Sequence, residues 1–347
     1  MARDLRSTGP AGSIVGMNPP RASAEDYIQH LIASPKAVSA TQAALAQPHR
    51  PNAPAHDAFT RLLRRLEPDA EALWAEVRPL VRPGGALVLD DSVLDKPFAR
   101  HVGLVGRWWS GRHRRVVRGI DLLTLLWTDG TSRLPCDYRL ADPGSRDTRN
   151  DHFRALLAAA KARGQAPAWV LFDTWYSGLE NLKAVRALGW RFLTRVRCNR
   201  RVNPDRTGNR AISSCDIAAS GTVVHLEGFG LVKAFRIAAG DGGTEHWVSD
   251  DLTLGEPGRA EQAGLAWKVE VYHRGLKQHC GVDRCQARLG RVQAAHVGLA
   301  IRAFVRLEWH RVKSGVSWFA AKAGIVRESV RAYLADPLYT LPEMATA

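Results

Sequence analysis

Three carboxylates stand out by their surroundings. Asp90 closes the apolar run "ALVLD", Asp173 closes "AWVLFD", and Glu270 is the one acid in "WKVEVYHRGLKQHCGV", residues 267 to 282. An acid that ends a buried strand lies at the carboxyl edge of its sheet, where ligands bind in open α/β folds. Two such acids and a third from a helix supply the oxygen ligands that Mg²⁺ or Mn²⁺ requires. Two ions about 3.5–4 Å apart would clamp the attacking and leaving oxygens of a phosphodiester exchange. Each acid also has a plainer reading, since Asp is a common turn residue after a strand and a lone helical Glu is usually solvated. The company of Glu270 weighs against the plain reading: Arg274 and Lys277, at i+4 and i+7, share its helical face. A carboxylate backed by two cations suits a metal ligand beside a phosphate track.

The whole chain favours a polyanion. Its 347 residues carry 49 Lys and Arg against 34 Asp and Glu, a formal +15, so nucleic acid is the first partner to consider. A membrane is a weaker one, because the best apolar run, Leu122 to Trp127, is far too short to span. The N-terminus "MARDLRSTGPAGSIVG" has no apolar signal core, which reads as a cytoplasmic, nucleoid-associated protein. Five scattered cysteines read as reduced thiols. Cys280 and Cys285 beside His273 and His279 lack the second pair that a zinc site needs.

The elements that must position the acids can be placed from periodicity. Residues 1–23 read as a flexible tail and 24–82 as a helical region, with Ser23 capping "AEDYIQHLIA". In that region "HDAFTRLLRRLEPDAEALWAEVRPLV" reads as one helical stretch carrying Arg61, either part of a helix-turn-helix on DNA or a helical cap on the next domain. Residues 83–199 alternate strands and helices: "ALVLDDS", a hairpin turning at Asp129-Gly130, a helix stopped by Gly164, "AWVLFD", another helix and "RFLTRV". That order implies a mixed α/β sheet with helices on both faces. Residues 200–252 are glycine-rich and alternating, an inserted β module, 253–290 return to the core, and 291–347 are helical. The segments "GRWWSGRHRRVVR" and "RVRCNRRVNPDR" join Arg114, Arg115, Arg197, Arg200 and Arg201 to Trp108 and Trp109, either a backbone-tracking surface with stacking platforms or solvated loops with Trp buried at their base.

The stretches "LVLDDSVLDKP", "RGIDLLTLLWTDG", "TRNDHFRALLAAAKARG", "VLFDTWYSGLENLK" and "WKVEVYHRGLKQ" resemble those of DDE insertion-sequence transposases with an RNase H-like core. The resemblance is to the group with a β insertion before a Y-R-E-K helix, and it runs from about residue 25 to 338. It implies Asp90, Asp173 and Glu270 as catalytic metal ligands for two Mg²⁺ or Mn²⁺ ions, with Lys277 positioning a phosphate. The implied partners are terminal inverted repeats, target DNA and a second copy of the chain in the synaptic complex. The pattern departs at Ala263 and Ala266, where relatives carry the Tyr and Arg associated with a flipped-out base and a phosphate near the cut. No hairpin intermediate is inferred, and Tyr272, His273 and Arg274 are the candidates to supply the lost DNA contacts. Two other classes fit the same acids: a catalytically silent DNA-binding descendant, and a nuclease that performs no strand transfer.

Overall fold

The computed structural model describes residues 20–36, 39–49, 51–111, 113–240 and 242–337. The expected tail thus lies outside the described residues up to position 19. Ala22 is already packed, 1% exposed, and its carbonyl accepts from Arg65 at 2.6 Å. Ser23 opens α1 (Ala24–Ala33) with a capping box, its hydroxyl accepting from the Asp26 amide while the Asp26 carboxylate accepts from the Ser23 amide. α2 (Ala40–Leu45) follows. The long helical stretch expected next is two helices, α3 (His56–Arg65) and α4 (Ala70–Val77). Pro68 breaks it: proline disfavours helical angles in the residue before it and has no N–H to give, and Asp69 then caps α4 with bonds to two amides. α3 buries Phe59, Leu62 and Leu63 and leaves Arg61 exposed in an ion pair with Asp57.

The sheet is built around β1 (Ala86–Asp95), with β2 (Gly106–Ser110), β3 (Arg115–Thr128) and β4 (Leu134–Leu140) on one side of it. After α5 (Arg149–Ala162) come β5 (Trp169–Phe172), α6 (Leu179–Ala187) and β6 (Arg191–Val196) on the other side. β3 pairs antiparallel with all of β1, from Ala86↔Thr128 to Asp95↔Gly119, whereas β5 pairs parallel only from Ala86↔Trp169 to Leu89↔Phe172. Asp90 therefore does not end its strand as expected. The long β3 carries β1 five residues farther, and Asp90 instead marks where the parallel partner stops.

The inserted segment is β7 (Arg201–Asn203), β8 (Arg210–Ala211), β9 (Thr222–Leu226), β10 (Gly230–Ala238) and β11 (Thr244–Ser249). These strands extend the central sheet, because β11 pairs antiparallel with β6. The sheet has eleven strands among the described residues. α7 (Glu256–Ala266) and α8 (Lys268–Cys280) are joined at Trp267, whose backbone keeps helical angles. α9 (Gly290–Ser314) is the central column against which α1, α3, α4 and α8 pack, with Phe304 and Ile301 fully buried. α10 (Trp318–Ala335) is held at its start, where Trp318 meets Phe304 edge-on, and farther along it exposes Val326 and Val330. All five cysteines are free thiols, and no helix among the described residues is long and apolar enough to cross a membrane.

Candidate active site

Successive side chains of a strand point to opposite faces, so β1 carries two chemistries past Leu89. Asp90 and Ser92 face α8, and Asp91 faces the start of α5. On the α8 side the Lys277 ammonium donates to Ser92 Oγ at 2.8 Å and to the Val93 carbonyl at 3.0 Å. This contact fastens α8 across β1 and sets Glu270, two turns earlier, over Asp90. One ligand atom from each of Asp90, Glu270 and His273 lies within 4.8 Å of the others, and His273 Nδ1 is 3.8 Å from Asp90 Oδ2. Asp173 enters from the turn after β5, where its carboxylate accepts from the Trp175 amide at 3.3 Å.

The electrostatics of this meeting are unfavourable without a cation. Burial first, then the charges of Asp91, Glu270 and Asp173, push Asp90 well above the usual carboxylate range. Burial, then the charge of Lys277, pushes His273 down to about 3, so its imidazole is neutral and available as a ligand. Its Nε2 is buried with no hydrogen-bond partner. Converging carboxylate oxygens beside a neutral imidazole fit a hard divalent cation such as Mg²⁺ or Mn²⁺, which would cancel the repulsion among the acids.

These groups line an open cleft of about 600 Å³ whose far walls carry Trp109, Arg149, Trp175 and Arg197. Trp109 and Trp175 are each about half exposed, at 52% and 48%. The cleft thus combines an acidic floor, cations at its rim and two flat apolar surfaces.

Adjoining the cleft, which Asp91 and Arg149 also line, is a buried charge cluster. Arg149 donates two bonds of 2.7 Å to Asp121 and approaches Asp91 at 3.5 Å, while the Tyr176 hydroxyl donates to Asp91 at 2.7 Å. Burial, then the charge of Asp91, raises Asp121 to about 7 despite the guanidinium. Trp108 and Trp175 flank that guanidinium at 5.2 and 5.6 Å.

Of the residues expected at the site, Asp90, Asp173, Glu270, His273, Arg274, Lys277 and Arg197 line the cleft. Tyr272 does not, and its expected DNA contact is corrected: it is fully buried, packed edge-on against Phe304 at 4.9 Å, because it points from α8 into the helical core. Arg200 is half-buried, and burial lowers its pKa. Arg114 and Arg115 are exposed on the β2–β3 hairpin and Arg201 pairs with Glu227, all outside the cleft walls. Trp108 is part-buried, its indole donating to the Gly119 carbonyl at 3.1 Å, so Trp109 alone of the pair is an exposed platform. Asp121, Arg149 and Tyr176 were not singled out in the sequence. Two left a signal there, an acid inside the apolar strand "GIDLLTLLW" and a cation in the first turn of a helix, where the dipole disfavours it.

Comparison with known proteins agrees with this architecture. The fold is similar to that of the piggyBac transposase in its synaptic complex with hairpin DNA, with a TM-score of 0.51 and 12% identity over 99% of this chain and 80% of that one. A likeness to the Mos1 strand transfer complex, at 15% identity over 52% of this chain and 60% of that one, has a TM-score of 0.20 and carries no structural argument. Among curated proteins none matches. Residues 16–211, more than half of the sequence, match the family described as DDE superfamily endonuclease, a span that includes Asp90 and Asp173 and ends before Glu270. The chain belongs to the DDE superfamily endonucleases.

Proposed function

We propose that this protein is a DNA transposase of an insertion sequence, cutting DNA at the element's terminal inverted repeats and joining the ends to a target. The observation that carries the reading is the convergence of Asp90, Glu270 and His273 within 4.8 Å in a cleft shared with Asp173, in a chain of +15. The piggyBac likeness supports it at the level of fold, since that protein was captured in a synaptic complex with DNA.

Asp90, Asp173 and Glu270 would hold the divalent cations, with His273 completing the donor set. Bound there, such ions supply Lewis-acid polarisation of a phosphoryl oxygen and a nucleophile at neutral pH. The chain's own groups do the rest. Arg197 and Arg274 at the rim bind flanking phosphates, and the exposed faces of Trp109 and Trp175 offer stacking surfaces to bases beside the cut. Lys277 keeps α8 seated on β1 so that Glu270 stays opposite Asp90. Water attacks the phosphodiester at the element's end, and the freed 3′-hydroxyl then attacks a target strand in line. Pairing two ends requires two copies of the chain.

The test uses purified protein, Mg²⁺ and a plasmid bearing the element's ends. Asp90→Asn, Asp173→Asn and Glu270→Gln are each expected to abolish cleavage while end binding stays near wild type. Retained cleavage in any one removes that residue from the site. Wild-type cleavage with no joined product makes the protein a nuclease without strand transfer.

A further inference from the structure

Asp90 and Asp173 can share a ligand only if their separation is held, yet the backbone ladder that would hold it ends one residue before both, at Leu89↔Phe172. What joins the two segments beyond that point is made of side chains. Asp173 begins a tight turn, Thr174–Tyr176, and the hydroxyl at the end of that turn reaches back to Asp91 on β1. The Tyr176 ring is itself fixed, stacked on Phe153 of α5 with centroids 5.3 Å apart and planes at 14°. Asp91 is held from the other side by Arg149, which grips Asp121 on β3 with both arms of its guanidinium. Four segments, β1, β3, α5 and the Asp173 turn, therefore meet at one cluster whose charges are largely shielded from water.

We propose that Tyr176, Asp91, Arg149 and Asp121 form a latch that sets the distance between Asp90 and Asp173 and thereby the affinity of the site for a divalent cation. Asp91 is in this account a positioning residue and not a further ligand. It borders the same cleft as Glu270, but its two carboxylate oxygens are engaged by Tyr176 and Arg149. The inference rests on the metal-binding reading of Asp90, Asp173 and Glu270, and its test separates the two.

Tyr176→Phe keeps the stacked ring and deletes only the hydroxyl. Mn²⁺ titrated calorimetrically into the metal-free variant should bind about tenfold more weakly than to wild type, as for other partners that orient metal ligands. Amide hydrogen exchange should quicken at residues 173–177 and stay slow along β1. If that variant does not fold, Arg149→Lys, which keeps the charge but loses the two-armed grip, carries the same expectation. Asp91→Asn still accepts from the Tyr176 hydroxyl but gives up the ion pair with Arg149, and should weaken binding no more than Tyr176→Phe does. A loss as deep as that of Asp90→Asn would make Asp91 a ligand and overturn the proposal, as would unchanged Mn²⁺ affinity in Tyr176→Phe. Wild-type protein that binds no Mn²⁺ overturns the metal site itself, and the exchange measurement then judges the latch alone.

Discussion

Asp90 and Asp91 are separated by one peptide bond and live in opposite environments. The alternation of a strand sends the first to the acids of the cleft and the second to Arg149 and Tyr176. Asp90, singled out in the sequence, is the member of the pair that meets Glu270, whereas no local pattern shows the partners of Asp91. Asp121 gives that hidden cluster a measurable signature. Its folded pKa of about 7 lies above the unfolded value of about 3.9, so protonated Asp121 stabilises the fold fully below pH 4, and that contribution is lost as pH rises through 7. Thermal unfolding in steps of pH should show wild type losing stability across this window relative to Asp121→Asn, which cannot ionise. Parallel curves for the two proteins would show that Asp121 does not titrate as described.

The positions of the elements decide whether such residues meet. α8 was legible from its own sequence, with Glu270, Arg274 and Lys277 on one face, but the use of Lys277 was not. Its ammonium is bonded to Ser92 and Val93, so its first role is to hold the helix that carries Glu270. Lys277→Met should cost about 1.5–3 kcal/mol, the range for hydrogen bonds to a charged group, and should lower cleavage along with stability. Urea unfolding and a cleavage assay on the same preparation check both, and an unchanged midpoint would mean the contact contributes nothing. α8 also depends on Gly275, since a Cβ there would come within 2.6 Å of the Trp318 ring. The split of α3 from α4 was readable in principle, because Pro68 stands in the sequence; apolar periodicity on both sides obscured it.

At the scale of the molecule, residues 200–252 read in sequence as an inserted β module because their glycines and alternation differ from what precedes them. In space β11 hydrogen-bonds to β6 and the sheet runs on without a seam. The formal charge of +15 also acts at this scale. Each phosphate neutralised by Lys or Arg releases counterions, so DNA affinity should fall by about 10³-fold or more between 50 and 200 mM salt if six or more phosphates are contacted. Fluorescence anisotropy over a salt series measures the slope. A flat response would remove the basic surface as the DNA track.

By itself the sequence determined most of the strand and helix order and the net positive charge, and it marked three acids as candidates, because periodicity, turn chemistry and charge are local or additive properties of the chain. Only the tertiary structure decided which side of β1 each aspartate serves, that Lys277 anchors α8, that Tyr272 is core, and that Arg149 grips Asp121 between two tryptophans. Those are contacts between residues 26 to 185 positions apart. Strand register and helix packing create them, and no local pattern encodes which distant partner a side chain will find.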